Sequence, residues 1–353
     1  MKKKNTSVTI ADVARETGVS PAAVSKALNN RGGISLPVQR KIEKTAQRLG
    51  YSPYIKARQS GMYASTLKYI GVIYASAGEH LTRDIQNGVD SVLHDSGLYE
   101  LRYSLNLQSQ MYNEERKSIF LEKIMQDKSI AGLISVFLNI SDSNIARLHK
   151  SGVPVVLLNN KSDCGMSVYI DNVEACYDAV KELVGLGRRK IGIIMPSEST
   201  ENVWSQRLEG YKKALAENTI RYDPYLMVSE TSFQLKESAL ATAELIEREP
   251  AVDAIIYGSD VQAYAGMEAL KELNKRIPED IAVVGFDDMM FSRISDPPLT
   301  SVRQPMFEMG REGTKMLVDA IKEKDFSNKI VKLKSKIILR QSTNKNLPKE
   351  KLI

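Results

Sequence analysis

Residues 8–29 read VTIADVARETGVSPAAVSKALN, a pattern that predicts two short helices joined by a tight turn. Thr9 and Asp12 have the spacing of a capping box, apolar residues then recur at helical spacing, and Gly18 ends the first helix. Ser20 can cap the second helix. The pattern is typical of a helix-turn-helix, and an ordinary helical hairpin is the alternative.

The amino-terminal segment is strongly basic. Residues 1–60 hold twelve lysines and arginines against three acids, about +9. The whole chain carries +6, from 49 basic and 43 acidic residues, so the remainder is slightly acidic. Such a block attracts phosphates and releases counterions, which favours double-stranded DNA as a partner over a merely solvated charged face.

Length and composition limit the other classes of protein. A chain of 353 residues suits a short head and about two further domains. No apolar signal region follows the first lysines and no apolar run reaches membrane-spanning length, so we expect a cytoplasmic protein with no membrane partner. The two cysteines and three scattered histidines lack metal-ligand or triad spacing, and no glycine-rich phosphate loop follows a strand. We therefore expect no metal, no cofactor and no enzyme.

A third helix and a linker complete the head. Ser35 can cap a helix whose apolar residues recur from Val38 to Leu49, ending at Gly50. Residues 54–61 are too few and too polar to form a stable helix alone. We interpret them as a linker that orders on binding.

From Tyr69 onward, short apolar runs alternate with helical patterns. Because helices intervene, the strands should be parallel and covered on both faces. Sheets of this kind bind ligands beyond the carboxyl ends of their strands. The predicted strands are residues 70–73, 101–105, 131–136, 153–158, 191–195, 254–257 and 281–284.

Four stretches of the chain resemble the LacI/GalR family of transcriptional regulators. They are residues 8–29, LGYSP at 49–53, VVGFDD at 283–288 and PPLTSVRQP at 297–305, so the resemblance spans almost the whole chain. It implies an all-α helix-turn-helix head and an α/β core with two Rossmann-like parallel-sheet subdomains of periplasmic-binding-protein type.

The resemblance also implies where the domains divide. We assign residues 1–60 to the DNA-binding head, with a hinge segment at about 53–60, and residues 61–353 to the effector-binding and dimerisation core. Three crossings between the subdomains are expected near Val168, Thr300 and Ile330. The first subdomain then comprises about 68–167 and 301–329, and the second about 168–300 and 330–345.

In this family the second helix enters the major groove, and the linker becomes a hinge helix whose leucine wedges into the minor groove. Ser60 stands at the wedge position and cannot supply an apolar side chain, which predicts a weaker kink or a different wedge. Lys26 and Asn29 are the best candidates for base readout. The full set of predicted DNA-binding residues is Thr9, Ser20, Pro21, Ala22, Ala23, Ser25, Lys26, Asn29, Tyr51, Ala57, Arg58 and Ser60.

Arg207 and Asp287 match positions that hold the small-molecule effector in this family. A guanidinium that donates two hydrogen bonds and a carboxylate that accepts two can fix adjacent hydroxyls of a sugar, and a domain-bridging ion pair is the alternative. Trp204 or Tyr257 could stack on a sugar ring or pack in the core. The full set of predicted effector-binding residues is Ser76, Glu79, Leu81, Asn159, Trp204, Arg207, Tyr257, Ser259, Asp260 and Asp287.

These observations predict a homodimeric transcriptional regulator, a repressor, that binds a nearly palindromic operator. A small polar effector, carbohydrate-like, is expected to close the core cleft and change operator affinity. One alternative is a regulator controlled mainly by a protein co-regulator. A sugar-binding or sugar-processing protein is the alternative from another class.

Overall fold

The computed structural model describes residues 9–28, 35–49, 68–75, 79–105, 114–196, 203–230 and 234–348. Tertiary contacts divide the chain into two compact units, residues 1–67 and 68–353. The boundary therefore lies seven residues beyond the predicted end of the head at residue 60. No helix in the described ranges is long and apolar enough to cross a membrane.

The described residues of the first unit form three helices: α1 (Ile10–Thr17), α2 (Pro21–Leu28) and α3 (Leu36–Leu49). The capping box is present, since the Asp12 amide donates to the Thr9 hydroxyl and the Thr9 amide donates to the Asp12 carboxylate. Gly18 ends α1 in the left-handed conformation, at φ 72°, which glycine adopts without steric cost. A small core forms where buried residues of these helices meet: Val13, Ala14, Val24, Ala27, Ile42 and Ala46.

The second unit contains, in its described part, two six-stranded sheets. The first sheet has the strand order β11-β5-β4-β3-β1-β2, and its strands pair in parallel. Its strands are β1 (Lys68–Ala75), β2 (Leu98–Leu105), β3 (Ile130–Val136), β4 (Val155–Leu158), β5 (Met166–Ile170) and β11 (Ile330–Leu333). Its helices are α4 (Glu79–Leu93), α5 (Glu114–Gln126), α6 (Asp142–Lys150) and α12 (Met306–Glu323). We call this half the first subdomain.

The second sheet has the order β12-β10-β9-β8-β6-β7, and β12 runs antiparallel to its neighbour while the other strands pair in parallel. Its strands are β6 (Ile191–Pro196), β7 (Met227–Glu230), β8 (Ala254–Tyr257), β9 (Ala282–Asp287), β10 (Thr300–Arg303) and β12 (Lys336–Ile338). Its helices are α7 (Asn172–Gly185), α8 (Val203–Glu217), α9 (Leu235–Arg248), α10 (Asp260–Glu272) and the short α11 (Met290–Ile294). A 3-10 turn (Pro224–Leu226) precedes β7. We call this half the second subdomain.

Within the described ranges the chain crosses between the subdomains three times, and each crossing lies a few residues beyond its predicted position. Val168 lies inside β5, while Thr300 and Ile330 begin β10 and β11. The offsets arise because each crossing follows a strand that pairs within the sheet the chain is leaving. The crossings therefore lie at residues 171, 304–305 and 334–335.

Candidate functional site

The outer face of α2 carries the small and polar residues that the sequence assigns to DNA. Ser20, Pro21, Ala22 and Lys26 are exposed, whereas Val24 is fully buried against the other two helices. The Ser20 hydroxyl accepts a hydrogen bond from the Ala23 amide at 3.2 Å, which caps the helix. This face of α2 therefore carries mostly short side chains, which allows the helix backbone to lie close to base edges.

The other predicted DNA-binding residues fall into two groups. Ala23 and Ser25 are half-buried on α2. The Thr9 hydroxyl donates to the Asp12 carboxylate at 2.7 Å, so the role of Thr9 in this structure is to cap α1. The remaining five lie outside the described residues: Asn29, Tyr51, Ala57, Arg58 and Ser60.

Arg207 lies on α8 and is buried in the second subdomain. Its Nε donates to the Asn172 side-chain oxygen at 3.0 Å and its Nη1 donates to the Gly258 carbonyl at 2.6 Å. The guanidinium carbon lies 3.5 Å from the centroid of the Phe286 ring and 4.8 Å from that of Trp204. A guanidinium has five N–H donors, so these contacts fix its plane while leaving donors for a ligand.

The packing of α8 against α7 sets the position of Arg207. A Cβ on Gly210 would lie 2.2 Å from the Val173 carbonyl oxygen, so only glycine permits the observed approach of the two helices. This approach brings Arg207 to Asn172, at the start of α7.

Asp287 ends β9, at the carboxyl edge where α/β sheets bind ligands. Its carboxylate accepts from the Gln304 side chain at 2.6 Å, and its backbone has φ 111°, a region that a non-glycine residue rarely occupies. Burial raises its pKa to about 8, although nearby Arg207 acts in the opposite direction. A buried, strained carboxylate is a candidate binding group.

A domain-bridging ion pair of Arg207 with Asp287 is excluded. Both residues lie in the second subdomain, on α8 and β9. Arg207 donates to Asn172 and Gly258, while Asp287 accepts from Gln304. Burial lowers the pKa of Arg207 to about 10, which still leaves it charged at neutral pH. The site thus holds a buried donor and a buried acceptor that are each held by other groups.

Asp260 and Ser259 have structural contacts that the sequence did not reveal. Asp260 accepts hydrogen bonds from the Met289 amide at 2.7 Å and from the Ser292 and Ser301 hydroxyls at 2.6 Å each. Ser259 caps α10 by accepting from the Gln262 amide. Asp260 therefore anchors the segment after Asp287 and acts as a positioning residue. Both of its carboxylate oxygens already accept hydrogen bonds from the protein, which disfavours the predicted contact of Asp260 with an effector.

The prediction of Tyr257 as a stacking residue is wrong, and the alternative of core packing is correct. Tyr257 is fully buried and its hydroxyl lies 2.9 Å from that of Thr242. A Cβ on Gly266 would lie 2.0 Å from the Tyr257 hydroxyl oxygen, so the ring is enclosed by α10. Trp204 differs, because it is half-buried beside Arg207 and can offer a face to a ligand.

In the first subdomain, Asn159 follows β4 and is buried, with φ 62°. It lines a cavity of about 420 Å³ between the subdomains. Glu79 and Leu81 lie in the first turn of α4, and their side chains are outside the described part of the structure, as is Ser76.

Sequence reasoning missed three residues of the site. Asn172, Phe286 and Gln304 hold Arg207 and Asp287 in place, and Asn172 and Gln304 each follow a strand at a crossing between the subdomains. Gln304 lies in the stretch SVRQP, and Phe286 directly precedes Asp287. Both therefore belong to the stretches that carry the family resemblance, but no pattern in the sequence assigned them a role.

Within the described ranges, no group of three or more histidine, cysteine or acidic residues could hold a metal ion.

Two family models and several known proteins match this chain. Residues 9–54 match a family model described as bacterial regulatory proteins, lacI family, and residues 180–343 match a periplasmic binding protein-like domain. Catabolite control protein A of Priestia megaterium is 29% identical over 339 residues, 95% of this chain and 99% of that protein. The transcriptional repressor PurR of Vibrio atlanticus is 28% identical over 344 residues, 96% of this chain and 99% of its own length. The solved complex of the regulator CelR with cellobiose is 26% identical, with a TM-score of 0.69, and covers 95% of this chain and 100% of that one.

Proposed function

Because the chain belongs to the LacI family of transcriptional regulators, we propose that it is a homodimeric repressor whose operator affinity is set by a sugar or related polyol. The effector would bind between the two subdomains of the core. The observation that carries this proposal is the buried arrangement of Arg207 and Asp287 at the carboxyl edge of the second sheet. The relatives are regulators rather than enzymes.

A polyol fits the chemistry of this edge. Arg207 donates and Asp287 accepts, which suits a pair of neighbouring hydroxyls, while the half-buried Trp204 offers an apolar face for a sugar ring. The cellobiose complex of CelR supports a carbohydrate effector.

Both effector-binding groups are tied to crossings between the subdomains. Arg207 bonds to Asn172 directly after the first crossing, and Asp287 bonds to Gln304 at the second. A ligand that bonds to either group would therefore contact residues joined to the segments that connect the subdomains. This coupling supports control of the DNA-binding head by closure of the core.

A second copy of the chain has a candidate docking surface on the second subdomain. Met290 and Ile294 expose 74% and 57% of their surface, and the Tyr264 ring lies 5.8 Å from that of Phe291. A nearly palindromic operator requires two heads related by a two-fold axis, which supports pairing of identical chains through such an apolar patch. Sedimentation of Met290→Lys and Ile294→Lys tests this, because both should dissociate the dimer.

The operator is found by selecting duplexes from genomic fragments with the full-length protein at about 0.15 M salt. Trp204 is the sole tryptophan of the chain and lies beside Arg207, so its fluorescence reports effector binding directly. A sugar that changes this fluorescence should also change operator affinity. The absence of any preferred duplex would refute the proposal, and a response of operator affinity to a cell protein but to no sugar would favour a protein co-regulator.

A further inference from the structure

A lysine beside the crossings forms ion pairs that join the two subdomains. The Lys332 ammonium group donates to the Asp171 carboxylate at 2.7 Å and lies 3.2 Å from the Glu174 carboxylate. Lys332 belongs to β11 of the first sheet, whereas Glu174 lies in the first turn of α7, in the second subdomain. We call these three residues the subdomain clamp.

Of the three crossings in the described part of the chain, the subdomain clamp involves two. Asp171 is the first crossing itself, and Lys332 lies two residues before the third, at 334–335. The second crossing has a different contact, because the Gln304 side chain donates to Asp287. The subdomain clamp therefore connects the first and third crossings through side chains other than those proposed to bind the effector.

Each side of the subdomain clamp is fixed within its own subdomain. Lys332 lies on a strand that pairs in parallel with β5. Asp171 caps α7 by accepting from the Glu174 amide at 3.0 Å. Since a Cβ on Gly210 would lie 2.2 Å from the Val173 carbonyl oxygen, α7 packs closely on α8. A rotation of one subdomain against the other therefore changes the distance between Lys332 and Glu174.

The ion pairs of the subdomain clamp are accessible to water and salt. The side chains of Lys332, Asp171 and Glu174 expose 45%, 34% and 65% of their surface. Hydrogen bonds to Asp171 and Glu174 raise the pKa of Lys332, so the ammonium group stays charged at neutral pH. Exposed ion pairs of this kind change an equilibrium about two- to five-fold, and salt screens them. A bias of this size is small against the stability of a domain, but it shifts the populations of two arrangements of the subdomains.

We propose that the subdomain clamp favours the observed arrangement of the two subdomains, with Lys332 as its positioning residue, and that rising ionic strength releases it. The core thus responds to ionic strength as well as to a ligand. The effect on operator affinity rests on the proposed function, whereas the clamp itself does not.

Distances between spin labels on the two subdomains test this proposal in the full-length protein. Cys164→Ser removes the exposed cysteine, and Cys176 is buried. The labels are attached to Lys123→Cys on α5 and Glu247→Cys on α9, both at exposed positions. Mixing with excess unlabelled protein leaves one labelled chain in any oligomer, so pulsed electron resonance measures distances within a chain.

At about 0.1 M salt, Lys332→Met should raise the population of distances outside the main wild-type peak about two- to five-fold. About 1 M salt should have the same effect on the wild type and little further effect on the variant. Glu174→Gln should shift the distances in the same direction and add little to Lys332→Met, because the effects of removing two partners of one pair are not additive. Asp171 is kept, since it also caps α7.

Lys271→Met is the matched control. It removes a lysine whose side chain is 42% exposed and whose partner, Glu268, lies on the same helix, α10. This ion pair does not join the subdomains. The variant should therefore keep the wild-type distances at both salt concentrations.

The outcomes separate this proposal from the proposed function. Unchanged distances in Lys332→Met, equal shifts in Lys271→Met, or a wild-type distribution that ignores salt would reject the subdomain clamp and leave the proposed function standing. If the distances shift in Lys332→Met alone, the affinity of that variant for the selected operator should also change about two- to five-fold. Shifted distances with unchanged operator affinity would support the clamp and contradict the proposed control of the head by the core.

Discussion

Replacing Asp287 by asparagine should stabilise the core, and the gain should grow with pH. Burial raises the pKa of Asp287 to about 8 in the folded protein, against about 3.9 in an unfolded chain. A carboxyl group whose pKa is raised by folding keeps its full stability at low pH and loses it as the pH rises through this window. At about 1.36 kcal/mol per pKa unit, the penalty is about 1.5 kcal/mol at pH 5 and about 5 kcal/mol at pH 8.

The amide introduced by Asp287→Asn is neutral in both the folded and the unfolded state, so the variant escapes this penalty. Its side-chain oxygen can still accept from Gln304, and the change from aspartate to asparagine leaves the backbone requirement at this position the same. The free energy of unfolding of Asp287→Asn should therefore exceed that of the wild type by about 3–4 kcal/mol more at pH 8 than at pH 5. Asp260, whose pKa burial raises to about 7, acts in the same direction but is common to both proteins.

Urea denaturation followed by Trp204 fluorescence at pH 5, 6, 7 and 8 measures this difference. Asp163→Asn, at an exposed position, is the control and should leave the pH dependence unchanged. The reasoning is refuted if the stability curves of the wild type and Asp287→Asn run parallel across this range. The same variant should lose effector affinity, since it replaces a group with two oxygens that can accept hydrogen bonds by one with a single acceptor oxygen.

Three further variants test the head and the core. Gly18→Ala should destabilise α1 by about 1 kcal/mol through its φ of 72°, and unchanged amide exchange in α1 would contradict this. Lys26→Ala should cost about 1–3 kcal/mol of discrimination between operator and random DNA, measured by competition binding; equal losses on both would overturn its role in base readout. Tyr257→Phe should cost about 1 kcal/mol of stability by losing the Thr242 contact, with effector affinity intact; a selective loss of affinity would restore Tyr257 to the site.

The features that the sequence predicted correctly are those that depend on neighbouring residues. The capping box at Thr9, the stop at Gly18 and the helix that begins at Pro21 are local, so spacing alone reveals them. The long apolar strands were equally visible, because a strand buried on both faces is continuously apolar.

Short strands at and beside the crossings were not predicted. β5, β10, β11 and β12 have three to five residues each, and the exposure of β11 alternates along the strand. Their conformation depends on pairing with strands distant in sequence, which no local pattern encodes. For the same reason the predicted crossings fell inside or at the start of these strands.

In the site, too, some residues could be predicted from their type, whereas others matter only because of their position in the fold. Arg207 and Asp287 are charged residues that the resemblance singled out, yet the groups that orient them could not be identified by type. Asn172 and Gln304 are ordinary amides whose importance comes from their place beside a crossing. Tyr257 shows the converse, because an aromatic residue at the end of a strand suggests stacking until the fold shows which side it faces.

The burial of Arg207 and Asp287 bears on how the proposed effector acts on the core. Burial opposes ionisation of both groups, so the Arg207 cation costs folding free energy at neutral pH and the Asp287 carboxyl group costs it as the pH rises toward 8. A ligand whose hydroxyls bond to both groups offsets that cost only when the cleft is occupied, so occupation favours one arrangement of the subdomains over another. Asn172 and Gln304 bond to these two groups and lie at the crossings, so the groups proposed to bind the ligand are connected to the segments between the subdomains. Under the proposed function, effector binding at the edge of the second sheet therefore acts on the same residues that connect the two subdomains.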